Sequence, residues 1–231
     1  MLVATLKRHL SPEQFMQLKR CHQQIRAQAI PVIPGLHTFL YHCHRSIVSV
    51  FQSIAQKAYY TPMFLSQVNN KPRHLYLYSG MPFISGNVQI EVGDHCRISG
   101  ATTFSGRNSS QQPTLVIGNN VDINWQTTIA VGRKVILEDN VRLAGSIFLA
   151  GYPGHPIDPA RRANGDADDD NQIGDIHLKK NVWVGTGSTI LKGVTIGENS
   201  IVSAGSVVTK SMPANVLIGG NPAKVIKTLE Y

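Results

Sequence analysis

The chain has 231 residues, 42% of them hydrophobic, and a formal net charge of +8. That length allows one large domain with a smaller appendage and is apolar enough for a packed core, and no apolar run reaches the roughly 18 residues of a membrane-spanning helix. Its three cysteines, Cys21, Cys43 and Cys96, have neither metal-ligand spacing nor an even number, which excludes a disulfide scaffold and fits a reducing compartment.

The charge is unevenly placed. Residues 1–75 hold nine Lys or Arg and one acid, Glu13, whereas residues 76–231 hold thirteen of each sign. Such asymmetry predicts two regions with different partners: an N-terminal α-helical region over 1–75 and a second domain over 76–231. The basic region shows no nucleic-acid-binding module. Met1–Leu10 places Lys7, Arg8 and His9 where a signal peptide needs its apolar stretch, so a cytoplasmic protein is expected.

In chain order, Ser11-Pro12-Glu13-Gln14 reads as a helix start: a Ser cap, Pro at the first helical position, and Gln three residues after the cap. Phe15, Leu18, His22, Ile25 and Ala29 then share one stripe, and Pro31 and Pro34 end it. A second helix is predicted over about 36–59, with Leu36, Leu40, Cys43, Ile47, Phe51, Ile54 and Ala58 on one side. The plain reading of this region is a cap on the following domain. The sharper one is a surface that meets the acceptor or makes peripheral contact with an anionic membrane.

From residue 76 onward the spacing changes. Val92, Ile98 and Phe104 lie six apart, as do Ile117, Ile123 and Ile129, then Leu137, Leu143 and Leu149. The last run is Leu178, Val184, Ile190, Ile196, Val202 and Val208, followed by small residues such as Gly185, Gly193, Gly197 and Ala204. Six is even, so one side-chain set of a strand keeps facing inward, whereas a 3.6-residue helix drifts off this register. One short strand cannot bury its apolar face alone, so the repeat predicts an all-β solenoid of stacked coils. Spacing leaves the handedness open. The repeat breaks after Leu149, giving an extruded loop over about 151–172, and the chain ends in a short tail.

Four segments carry a resemblance: Asn181-Val-Trp-Val-Gly185, Ile190-Leu-Lys-Gly-Val-Thr-Ile-Gly197, Ala204-Gly-Ser-Val-Val-Thr-Lys210 and Gly219-Gly-Asn-Pro-Ala-Lys-Val-Ile226. They resemble the hexapeptide-repeat acyltransferases, and within these the maltose and galactoside O-acetyltransferases and polysaccharide-modifying O-acetyltransferases. The resemblance implies three hexads per coil, a left-handed parallel β-helix, a homotrimer, and acetyl-CoA as cosubstrate without a metal. The N-terminal segment of those enzymes is not recognisable in 1–75, so acceptor residues drawn from it do not carry over.

Gly154-His155-Pro156 resembles the family's catalytic histidine motif, and the residue before a proline is pushed toward extended geometry. Acyl transfer to a hydroxyl needs a base for that hydroxyl, and an imidazole with an ordinary pKa of about 6.5 suits neutral pH. His155 is therefore the expected general base, in a direct transfer without an acyl-enzyme; a solvated loop histidine is the plain alternative. The resemblance implies an oxyanion donor near Gly185-Thr186. It aligns Gln126 with an acceptor-contacting asparagine of the family, so that the amide is kept here but lengthened, with Asn124 two residues earlier; either holds the acceptor or caps a turn. For coenzyme A it implies a groove between subunits lined by Trp183, Gly185, Thr186, Ala204, Gly205, Thr209 and Lys210, with Lys224 and Lys227 on the nucleotide phosphates. The plain alternatives are corner-turning for the small residues and core packing for Trp183.

Two metal-like clusters are discounted. Asp166, Asp168, Asp169 and Asp170 lack the glycine and final acid of a calcium loop and read as a solvated acidic segment, and His37, His42 and His44 read as helix-surface histidines. The rival from another class is a zinc lyase like the gamma-class carbonic anhydrases, which needs three convergent histidines; His95, His155 and His177 include no close pair. Serine acetyltransferases follow the histidine with Pro-Lys-Ile-Gly, whereas Pro156-Ile157-Asp158 stands here. The expected acceptor is a sugar hydroxyl of a surface polysaccharide or lipopolysaccharide unit; a free sugar, serine or a xenobiotic are the alternatives.

Overall fold

The computed structural model describes residues 11–27, 31–108 and 112–230. It forms two compact units, one of residues up to Val50 and one from Phe51 onward.

Helix α1 (Pro12–Ala27) opens with the expected capping box. The Gln14 amide donates to Ser11 Oγ at 3.2 Å, and the Ser11 amide donates to Gln14 Oε1 at 3.0 Å. Ala29, the last member of the predicted stripe, and the Met1–Leu10 segment lie outside the described residues. Helix α2 (Leu36–Ala55) ends earlier than the predicted position near Tyr59: a π-helical turn, Gln56–Tyr60, intervenes before the short helix α3 (Thr61–Leu65). Pro62 has no N–H for the carbonyl four residues back, and the ladder widens to a bond from the Thr61 amide to the Gln56 carbonyl. No described helix is long and apolar enough to cross a membrane.

The rest is a parallel β-solenoid of about six coils. Its first face stacks Tyr76–Tyr78, Arg97–Ser99, Asp122–Ile123, Arg142–Leu143, Trp183–Val184, Ile201–Val202 and Val216–Gly220, closed by the antiparallel Ala223–Thr228. The second stacks Phe83–Ser85, Thr103–Gly106, Thr128–Val131, Phe148–Ala150, Thr189–Leu191 and Val207–Val208. The third stacks Gln89–Val92, Thr114–Ile117, Lys134–Leu137, Ile176–Leu178 and Thr195–Ile196. Register is strict: Leu77, Ile98, Ile123, Leu143, Val184, Val202 and Ile218 succeed one another up the inside of the first face. Every residue of the predicted inward rows, from Val92 to Val208, is buried. Burial of each aliphatic chain contributes about 1.5–3 kcal/mol, which no isolated coil obtains. Phe64 of α3 closes the interior against Phe104, with ring centroids 6.3 Å apart.

One corner carries a feature the sequence reading passed over. Asn120, Asn140, Asn181, Asn199 and Asn215 occupy left-handed backbone, with φ of 54°, 63°, 63°, 58° and 56°. Each donates its side-chain amide to the next one's Oδ1, at 2.8, 2.9, 2.8 and 2.8 Å in turn. His74 and His95, also at positive φ, continue the column with rings stacked at 4.8 Å. Asparagine tolerates this backbone better than other side-chain-bearing residues, and the ladder satisfies its amide. Asn140→Ala is expected to lower unfolding free energy by about 2 kcal/mol, because it breaks two ladder bonds and leaves a Cβ at positive φ. Asn140→Gly relieves the strain and is expected to cost about 1 kcal/mol less; denaturant titration of both variants tests the difference.

Candidate active site

The extruded loop is pinned at its root. Ala150 pairs with Ala130 and Leu191 on the second face, so the loop leaves at the corner between the second and third faces. Gly151 donates its amide to the Ala130 carbonyl at 2.9 Å, and the Gly151 carbonyl accepts from the returning Gly174 amide at 3.1 Å. The two ends of the loop thus meet. Tyr152 shares a 2.7 Å hydrogen bond with Ser105 Oγ on the second face.

His155 is exposed, between Gly154 at φ +80° and a buried Pro156. What fixes this turn is an ion pair. Asp168 Oδ2 accepts the Gly154 amide at 3.1 Å, and Asp168 Oδ1 accepts from Arg107 Nε at 2.5 Å. Arg107 also donates Nη2 to the Asp168 carbonyl at 2.6 Å and Nη1 to Asp170 Oδ1 at 2.7 Å. Both side chains of the Arg107–Asp168 pair are buried, and the hydrogen bond that the guanidinium donates to Asp168 holds it above its ordinary range. Beyond the histidine, Arg162 Nη1 donates to the Pro156 and Ile157 carbonyls at 3.2 and 3.0 Å, and Asp158 caps the helix Pro159–Ala163 through the Arg161 amide at 2.8 Å.

The acidic segment is therefore not simply solvated, as the sequence suggested. Asp168 is buried and paired, Asp169 and the exposed Asp166 pair with Arg161 at 2.8 and 3.4 Å, and Asp170, also exposed, pairs with Arg107 at 2.7 Å. Arg107 was missed: its side of the contact lies at the end of a second-face strand, far from the loop in sequence.

The acceptor candidates stand on the corner between the first and second faces. Asn124 is engaged at both ends: its Oδ1 accepts from Tyr78 Oη at 2.8 Å, and its Nδ2 donates to the Leu143 carbonyl at 2.8 Å. Burial pushes the Tyr78 phenol above its ordinary range, which keeps it a donor. Gln126, at φ +57°, is exposed; its Oε1 accepts from Ser146 Oγ at 3.1 Å, and no bond from its Nε2 occurs among the described residues. Trp125, between them, is 49% exposed and lies on the next coil, where a Cβ on Gly145 would come within 2.6 Å of its ring. That Gly145 was the available sequence signal for a flat aromatic platform.

The same corner continues downward through part of the predicted coenzyme set. Successive coils place Trp125-Gln126, Gly145-Ser146, Thr186-Gly187 and Ala204-Gly205 in one column, linked by backbone bonds of 2.8–3.1 Å. Gly185 is buried with its amide on the Val202 carbonyl at 2.8 Å; a Cβ there would fall 2.6 Å from the Ala204 amide. That backbone bond occupies the Gly185 N–H, whereas no backbone bond from the Thr186 amide occurs among the described residues. Trp183 is 52% exposed on the outside of the first face, so core packing does not account for it. Thr209 and Lys210 follow the strand Val207–Val208 and share the loop's corner two coils on. Lys224 and Lys227 are exposed on the terminal strand, opposite Gly219 and Leu217.

Within one chain the candidates thus fall on four places: the two corners flanking the second face, the outside of the first face at Trp183, and the terminal strand. The other histidines are held elsewhere. His177 Nε2 lies 2.6 Å from Glu138 Oε1 on the third face, and His95 stacks on His74. Among the described residues no three His, Cys, Asp or Glu side chains converge as metal ligands.

Fold, repeat and loop define a hexapeptide-repeat β-solenoid. Residues 175–210 match the family described as bacterial transferase hexapeptide (six repeats), so the chain carries that family's repeat. It is 39% identical over 113 residues to galactoside O-acetyltransferase of Escherichia coli (strain K12), covering 49% of this chain and 53% of that protein. It is 33% identical over 137 residues to galactoside O-acetyltransferase of Lactococcus lactis subsp. lactis (strain IL1403), covering 58% and 61% respectively. The chain thus spans little more than half the length of these curated relatives. Among solved structures, a mutant of AntD, an N-acyltransferase from Bacillus cereus, in complex with dTDP-4-amino-4,6-dideoxyglucose and coenzyme A, superposes with a TM-score of 0.60. That match covers 74% of this chain and 89% of AntD at 21% identity, which establishes a shared fold.

Proposed function

We propose that this protein is an acetyl-CoA-dependent O-acetyltransferase that acts on a sugar hydroxyl of a surface polysaccharide or lipopolysaccharide unit, in a homotrimer. The observation that carries the reading is the Gly154-His155-Pro156 turn, fixed by a buried ion pair at one edge of the second face, with an amide and an indole exposed at the other. The relatives named for galactoside acetylation support a sugar acceptor. An indole face and a free amide also suit a pyranose ring, whose C–H face stacks on aromatics while its hydroxyls take hydrogen bonds.

In this mechanism His155 accepts the proton of the acceptor hydroxyl as its oxygen attacks the thioester carbonyl. The tetrahedral oxyanion is met by a backbone donor near Thr186. The C–S bond then breaks, and the imidazolium returns its proton to the leaving thiolate. No covalent acyl-enzyme forms; Cys96, the cysteine of the repeat, is buried and its thiol is held protonated by burial.

Coenzyme A lies, in this reading, between neighbouring subunits along Trp183, Gly185, Thr186, Ala204 and Gly205, with Thr209 and Lys210 along the groove and Lys224 and Lys227 on its phosphates. Light scattering is expected to give a trimer mass at assay concentration; a fully active monomer overturns the shared groove. The acceptor is tested by incubating galactosides, nucleotide sugars and oligosaccharide repeat units with acetyl-CoA and weighing the products. An O-acetylated sugar is expected. Acetylation of amines alone, or of no sugar in the panel, rejects the assignment.

A further inference from the structure

Helix α2 has no buried residue along its 20 positions. At 100° per residue, Phe39, Leu40, Ile47, Val50, Phe51 and Ile54 fall on one face, and each is half or more exposed. The other side presents Thr38, His42, Arg45, Ser49, Gln52 and Ser53. A helix with this face in water leaves several large side chains unburied, each a loss of about 1.5–3 kcal/mol relative to burial. Singly exposed apolar residues are ordinary, but a continuous stripe of them marks a contact surface.

The sign of the surrounding charge selects the occupant. No Asp or Glu occurs from Gln14 to Ile90, whereas Lys19, Arg20, Arg26, Arg45 and Lys57 do. A second copy of the helix brings the same cations and no acid to meet them. An anionic phospholipid surface offers both an apolar phase and the opposite charge. We infer that α2 lies in the plane of an anionic membrane surface, with Phe39, Ile47 and Phe51 sunk toward the acyl chains and Arg45, together with Lys57 of the π-helical turn that follows, at the headgroups. The aliphatic stems of those cations let their charged ends stay with the phosphates. The docking does not depend on acyl transfer. If the proposed function also holds, it brings the solenoid to a lipid-linked sugar.

The full-length chain is sedimented with vesicles of phosphatidylcholine and phosphatidylglycerol in equal parts, and with phosphatidylcholine alone, at low and high salt. Wild type is expected to pellet with the mixed vesicles, less so at high salt. Arg45→Gln with Lys57→Gln should lower partitioning to the mixed vesicles about thirtyfold. Phe39→Gln with Phe51→Gln, which keeps good helix formers, should lower it at least about a hundredfold. Circular dichroism confirms the helix content of each variant. Wild type left in the supernatant with mixed vesicles at low salt overturns the inference. So does equal binding to neutral vesicles, or wild-type binding by the Phe39→Gln/Phe51→Gln variant. If that variant instead falls to a smaller particle in light scattering while its vesicle binding is unchanged, a second copy covers the face. Thiol release from acetyl-CoA is followed in parallel with a water-soluble acceptor, so a failure of docking stays separate from a failure of catalysis.

Discussion

His155→Ala is expected to lower turnover by about 10²–10⁴-fold, the range for loss of a positioned acid–base group, with acetyl-CoA binding unchanged. The side chain is exposed, and the loop is held by its neighbours: the Gly154 amide on Asp168, the buried Pro156, and Arg162 on the Pro156 carbonyl. Removal of the imidazole therefore leaves those anchors in place, and thermal unfolding is expected to match wild type. Steady-state kinetics beside calorimetric titration of coenzyme A separates the outcomes. Turnover near wild type removes His155 from the chemistry, and a large drop in unfolding temperature assigns it a structural role.

Arg107→Ala is expected to have the largest effect on stability. It leaves the Asp168 carboxylate buried with only the Gly154 amide for company, and breaking a buried pair from one side costs about 3–5 kcal/mol. Because Asp168 sets the turn that presents His155, the same change should lower kcat while leaving the KM for acetyl-CoA near wild type. Arg107→Lys keeps the charge but loses the planar fork that reaches Asp168 and Asp170 together, so it should recover part of the stability and less of the rate. Denaturant unfolding and steady-state kinetics on both variants provide the test. If Arg107→Ala unfolds like wild type and keeps full kcat, the ion pair does not position the loop.

Most of the solenoid was legible from the step of six, because an even step keeps one side-chain set on one side of every strand. Each residue of the expected inward rows is inside. The loop was legible as a break in that step. Its anchors were not, since Arg107 and Asp168 meet only once the coils are stacked, and an acid among four looks solvated in sequence. The asparagine column escaped for a related reason: the interval between its members follows coil length, and the long loop stretches one interval from Asn140 to Asn181. Trp125 was overlooked between two amides that drew attention by resemblance. In the N-terminal region the capping box and the face of α2 were readable, whereas the π-turn before Pro62 depends on a missing amide that periodicity does not register.

The most direct measurement is free thiol released from acetyl-CoA by wild type, with and without a panel of sugar acceptors, alongside intact-protein mass. The mechanism predicts release that requires an acceptor, matches the O-acetylated product mole for mole, persists in the presence of a chelator, and leaves the enzyme mass unchanged. Acceptor-independent release with an acetylated enzyme contradicts direct transfer, and no release with any acceptor contradicts the assignment as a sugar O-acetyltransferase.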